Sequence, residues 1–200
     1  MPGVTATHRR WRRVRHKASV PARAAPARDR GNFLQPTISD KPRPLHTLSI
    51  AVEGPMETIL ASLPEYWGRL SAHLAALEVH SAGAPFIRYC TIDMPRWLAV
   101  EVGLPMPHPV APATGMSCGA LPAGRYAEVV HVGPYDGLMQ TTAQLLQWGE
   151  HHRVVWDCEP TNAGEVWAGR VESYLTDPSQ QTDPQQWRTL LSIKIKEGTI

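Results

Sequence analysis

The chain has 200 residues, 42% of them hydrophobic and 19% charged, a globular mixture that excludes wholesale disorder and a fibre. No apolar run reaches the roughly 18 residues of a membrane-spanning helix. Cys90, Cys118 and Cys158 lack any Cys-x-x-Cys spacing, which excludes a disulfide scaffold and a cysteine-based zinc site and fits a reducing cytoplasm.

The formal net charge of +2 conceals a split. Residues 1–44 carry eleven Lys and Arg against Asp29 and Asp40, while the rest carries nine against sixteen acids. With six prolines and no sustained apolar period, residues 1–44 read as a disordered basic Arg/Pro/Ala-rich tail. His8 to Lys17 would hold polyanions weakly by charge alone, with a steep salt dependence. The plainer reading is a solvated extension, or an upstream stretch read through from a misplaced start. Arg12 and Arg13 precede no apolar segment, so the tail is no secretion signal.

Beyond it, Leu45 to Val52 predicts a strand and Met56 to Val79 a helix broken at Pro64. Phe86 to Ile92, Trp97 to Leu104 and Met116 to Leu121 predict strands, as does Gly124 to Val132. Gly137 to Glu150 predicts a helix with Leu138, Thr142, Leu145 and Leu146 on one side, and strands follow at Val166 to Leu175 and Trp187 to Lys196.

Two segments recur. A strand stopped by Gly54-Pro55 matches one stopped by Gly133-Pro134, at an offset of 79; Val100-Glu101 before Pro105 matches Val171-Glu172 before Pro178, at an offset of 71. The chain therefore reads as a duplicated unit, with halves at about 45–121 and 122–197. One helix per half beside several strands implies an α+β fold, a tandem pseudo-two-fold βαββ repeat with helices on an antiparallel or mixed sheet. A groove between the halves is the natural ligand site.

Alternation along Val166 to Leu175 puts Ala168, Arg170, Glu172 and Tyr174 on one face and Trp167 on the other. A mid-strand glutamate is either a surface residue, paired with Arg170, or a desolvated anion in the groove. Glu101 is its counterpart in the first half. Six of the seven tryptophans lie in the body with Tyr66, Tyr135 and Tyr174. Core packing is their first explanation, yet rings around a carboxylate would also hold flat lipophilic cations.

Other motifs carry less. Gly115-Met-Ser117-Cys-Gly119 spells a nucleophile elbow but runs into Pro122 and a strand instead of a helix. His151-His152 has no third ligand at metal spacing, so no metal or cofactor is expected. His131, at a strand end, reads as a satisfied structural histidine.

Taken together, Leu121-Pro-Ala-Gly-Arg-Tyr126, His131-Val-Gly-Pro-Tyr-Asp136, Val171-Glu-Ser-Tyr-Leu-Thr-Asp-Pro178, Trp187-Arg-Thr189 and Gly83-Ala-Pro-Phe-Ile-Arg-Tyr89 resemble the GyrI-like small-molecule-binding family, the AraC effector-binding domains. The similarity covers about residues 45–197. The resemblance implies two βαββ units around a groove that binds lipophilic aromatic cations, with Glu172 as the counter-charge. On that reading Trp67, Tyr135, Trp148, Trp167 and Tyr174 are wall residues, Glu101 a further groove acid, and Trp167 the least secure by its parity. It further implies a stand-alone binding protein in drug or toxin resistance or effector sensing, without the DNA-binding domain of some members. Alternatives are a hydrolase that opens cyclopropane-bearing alkylating natural products with Glu172 as its catalytic carboxylate, and a protein-interaction or inhibitor module.

Overall fold

The computed structural model describes residues 35–94 and 96–198. In chain order the elements are β1 Thr37–Lys41, β2 Leu45–Gly54, α1 Met56–Ala76, β3 Phe86–Asp93, β4 Trp97–Pro105, β5 Ser117–Leu121 and β6 Gly124–Val132. They continue with α2 Leu138–His151, β7 Cys158–Thr161, β8 Gly164–Trp167, β9 Arg170–Tyr174 and β10 Arg188–Lys194. The strands form one sheet in the order β1-β6-β10-β9-β3-β4-β2-β5, to which the β7–β8 hairpin is attached through β3. All the pairings are antiparallel.

The halves are β2-α1-β3-β4 and β6-α2-β9-β10. In each, the first strand pairs with the last, and β3 meets β9 at the centre, with Ile87 opposite Glu172. The fold is thus α+β with a pseudo-two-fold βαββ repeat. Its two ends are forced together: residues 42–44 join β1 to β2 and residues 122–123 join β5 to β6, strands from opposite ends of the order. Links this short span at most about 10–15 Å, so the sheet curls into a half-barrel.

Residues directly opposite across a ladder share a face. One row runs Val129, Leu191, Glu172, Ile87, Val102, Ile50; the adjacent row, pointing the other way, runs Glu128, Ser192, Val171, Arg88, Glu101, Ala51. The first row lies under the helices. Its apolar members pack with Ile59 and Leu63 of α1 and Leu138 and Leu145 of α2, and Ile50 packs with Leu70 and Leu74.

Several expectations are corrected. Pro64 does not break α1, which runs unbroken across it. An interior proline costs about 3 kcal/mol. Burying Ile59 and Leu63 before it and Leu70 and Leu74 after it, at roughly 1.5–3 kcal/mol each, outweighs that cost. Thr141, not Thr142, is the buried threonine of α2. Strand β1, paired along β6, lies inside the stretch read as tail; residues 1–34 of that stretch lie outside the described residues. The short β7, flanked by turns, carries too brief a pattern to be read.

The matched glutamates are not equivalent either. Glu101 lies on β4, whose counterpart is β10, whereas Glu172 lies on β9, whose counterpart is β3. A few shared residue types report the chemistry of a strand end, not its place in the sheet.

Candidate functional site

The strand expected over Val166 to Leu175 is interrupted at Ala168-Gly169. There the backbone bonds elsewhere: Ala168 N–H donates to the Asp157 carbonyl at 2.9 Å, and the Gly169 carbonyl accepts from Lys194 N–H at 2.7 Å. Only glycine fits, because a Cβ at 169 would meet the Tyr126 hydroxyl at 2.8 Å. The interruption resets the alternation. Trp167 joins the helix-side core, and the Arg170 guanidinium lies over its ring at 4.9 Å, so its assignment to the opposite face is corrected.

Along β9, alternation then carries Arg170, Glu172 and Tyr174 in succession under the helices. Tyr174 donates its hydroxyl to Glu172 Oε2 at 3.1 Å, and the Tyr89 hydroxyl faces the same carboxylate and interacts with it. Arg170 also lies over the Tyr89 ring at 5.8 Å. Outside this cluster opens a cleft of about 1130 Å³ between α1, residues 80–85 and the chain after β9, with Trp67, Tyr135 and Tyr174 in its wall. Tyr174 meets Trp67 edge-on at 5.2 Å and Tyr135 at 5.4 Å, and Tyr135 in turn contacts Trp187 at 4.7 Å. Tyr174 thus links the cleft wall to Glu172, which is half-buried behind it.

The electrostatics follow from burial. Desolvation raises the Glu172 pKa above the ordinary carboxylate value, although the hydroxyls of Tyr174 and Tyr89 and the charge of Arg170 oppose the rise. Magnitudes explain why burial wins. Two strand steps put Arg170 ~7 Å away, where an effective dielectric near 20 gives about 2 kcal/mol of attraction. Burying a carboxylate costs several kcal/mol. Burial likewise pushes the Tyr89 and Tyr174 hydroxyls up, with Glu172 adding to both, and it lowers the pKa of Arg170. The cluster thus combines an acid that holds its proton more tightly than usual with two phenols that stay protonated donors.

Polar atoms without partners also gather on this side. Trp67 Nε1, in the residue lining the cleft, and Thr189 Oγ1, opposite Tyr174 in the ladder, are buried and make no hydrogen bond among the described residues. His131, by contrast, is fully engaged: Nε2 donates to the Pro134 carbonyl at 2.9 Å and Nδ1 lies 2.8 Å from Thr141 Oγ1.

Of the residues singled out in the sequence, Trp67, Tyr135 and Tyr174 meet at the cleft, with Glu172 directly behind and Trp167 further along. Glu101 is not in this group. It points to the opposite face and pairs with Arg88 at 3.2 Å, which corrects its reading as a groove acid. Trp148 is half-buried against the core, stacks on His152 at 4.4 Å and does not line the cleft. Tyr89, Arg170 and Trp187 were passed over. Alternation puts Arg170 on the face of Glu172 only as a surface partner; Tyr89 joins through the β3–β9 pairing, which no local pattern announces.

A family model for the GyrI-like small molecule binding domain matches residues 34–196. The chain belongs to this family. No curated protein sequence matches it. Among solved structures it is similar to EcmrR, at 19% identity: over 84% of this chain and 59% of the EcmrR chain in a DNA complex, with a TM-score of 0.66. Against the EcmrR C-terminal domain alone the coverage is 82% and 98%, with a TM-score of 0.61. The chain thus spans less than two thirds of EcmrR in its DNA complex. It is also similar to a hydrolase from Listeria innocua, at 16% identity over 81% of this chain and 92% of that one, with a TM-score of 0.55. A third similar structure is SAV2435 bound to tetraphenylphosphonium, at 10% identity over 82% and 95%, with a TM-score of 0.53. At these identities the likeness is one of fold. Among the described residues no helix is long and apolar enough to cross a membrane.

Proposed function

We propose that the chain binds lipophilic aromatic small molecules in the cleft, with Trp67, Tyr135 and Tyr174 as its walls and the Glu172 carboxyl group as the polar anchor behind them. The observation that carries this reading is a half-buried acid, its pKa raised by desolvation, hydrogen-bonded to a tyrosine in the wall of a drug-sized cleft. A carboxyl group held at this cost without serving the core is the kind of feature a ligand repays. A related fold with tetraphenylphosphonium bound is consistent with a lipophilic aromatic occupant. Titration with triphenylphosphine oxide tests it: saturable quenching of tryptophan fluorescence at micromolar concentration is expected, and no saturable quenching with this or any other lipophilic aromatic compound would refute it.

A second reading is favoured by the same carboxyl group lying beside two phenols. With an electrophilic cyclopropane in the cleft, Glu172 as carboxylate accepts a proton from water while the water oxygen bonds to a ring carbon. The strained C–C bond breaks, its electron pair moves into the conjugated acceptor, and that acceptor is then protonated. Incubation with a spirocyclopropane alkylator, followed by chromatography, is expected to give the ring-opened hydrate faster than buffer. Equal rates would leave binding alone.

A further inference from the structure

A carboxylate among rings would ordinarily suit a cationic ligand, because both the charge and the π-faces attract it. In this chain an arginine already stands beside the carboxylate. Arg170 stands two residues from Glu172 on the same face of β9, and its guanidinium covers the rings of Trp167 at 4.9 Å and Tyr89 at 5.8 Å. Tyr89 is itself one of the two phenols on Glu172. Among the described residues Arg170 makes no ion pair within 4.0 Å, so its position is fixed by the rings and by the field of Glu172 and Glu165.

We infer that Arg170, beside Glu172 behind the cleft wall, is the resident cation of the site, and that it makes the site select uncharged aromatic ligands over cations of the same size. This rests on the cleft being a ligand site and adds the charge class of what it takes. An incoming cation meets a carboxyl group whose attraction Arg170 already partly offsets, and a like charge behind Tyr174. A neutral ligand meets no such repulsion and loses nothing to the offset carboxylate.

The test is a matched pair of probes, triphenylphosphine oxide and methyltriphenylphosphonium, which differ mainly in charge. Affinities are read by tryptophan quenching on the full chain, with a thermal melt of each variant as the folding check. Wild type is expected to favour the oxide. Arg170→Met should tighten the phosphonium about tenfold or more, while changing the oxide less than about threefold. Arg170→Lys keeps the charge and is expected to keep the wild-type preference; it also serves as the comparison should the Met variant not fold, because a Lys variant that gained phosphonium affinity would overturn the inference. If both probes bind and Arg170→Met leaves their ratio unchanged, Arg170 does not set selectivity although the cleft still binds. If neither probe binds either protein, the binding reading fails and this inference with it.

Discussion

Two glutamates on the two faces of one sheet show how differently the same side chain is used. Glu128, on β6, accepts from Ser192 at 2.6 Å, from Ser39 at 2.7 Å and from Lys41 at 2.7 Å. Burial alone would raise its pKa, but these three donors hold it below the ordinary value. Glu172, on β9, has two phenols and a more distant arginine, and burial keeps its pKa raised. The first carboxylate ties strand β1 to the sheet and is satisfied. The second is held against its solvation preference beside an aromatic cleft, where a structural role gives no reason for an acid.

The largest expected effect breaks the satisfied side. Glu128→Ala leaves Lys41, Ser39 and Ser192 without their acceptor; because Lys41 is 38% exposed, the cost is about 2 kcal/mol, less than for a fully buried pair. At this chain length that lowers Tm by roughly 4–8 °C in a thermal melt. Since the folded pKa of Glu128 is depressed, its contribution is fully present above the unfolded carboxylate range and is lost as pH falls from there through the lower folded pKa, so wild type and variant should converge in acid. Ligand affinity should stay unchanged.

The next effect belongs to the other face. Trp67→Leu removes one wall of the cleft and an edge-on contact with Tyr174, and should weaken triphenylphosphine oxide binding about tenfold, or ~1.4 kcal/mol. An undiminished affinity in the quenching titration would move the ligand elsewhere.

Smaller, and opposite in sign to Glu128→Ala, is Glu172→Gln. The folded pKa of Glu172 is raised, so the native state is fully favoured only below the unfolded carboxylate range and loses stability as pH rises through its folded pKa. The amide avoids that loss. At neutral pH the variant should melt roughly 2–4 °C higher, the shift of about 1 kcal/mol at this size, and the gain should vanish on acidification. Smallest of all, Glu101→Gln, on the face away from the cleft and part-exposed beside Arg88, should change ligand affinity less than about twofold and stability by under about 0.5 kcal/mol.

The duplicated strand–Gly-Pro–helix pattern was legible because it is local: a periodic strand, a stop and an amphipathic helix each leave a mark within a dozen residues. The face of Trp167 was not, because the two-residue interruption at Ala168-Gly169 depends on Tyr126 and Lys194, which are distant in sequence. The same holds for Glu101, whose side of the sheet is set by its register with Arg88 and Ala51. Glu172 is conspicuous as an acid in a strand, but only the β3–β9 pairing brings Tyr89 to it, and only the folded chain lays Arg170 over the rings of Tyr89 and Trp167. Strand β1 was hidden by its polar sequence; what fixes it is Glu128 across the ladder.

The contrast between the two acids is tested most directly by following their side-chain carboxyl carbons by NMR through a pH titration, with and without triphenylphosphine oxide. In the free protein Glu172 should titrate above the ordinary glutamate range and Glu128 below it, and saturating ligand should move the Glu172 curve while leaving that of Glu128 in place. Ordinary titration of Glu172, or a ligand that shifts both curves alike, would contradict the account.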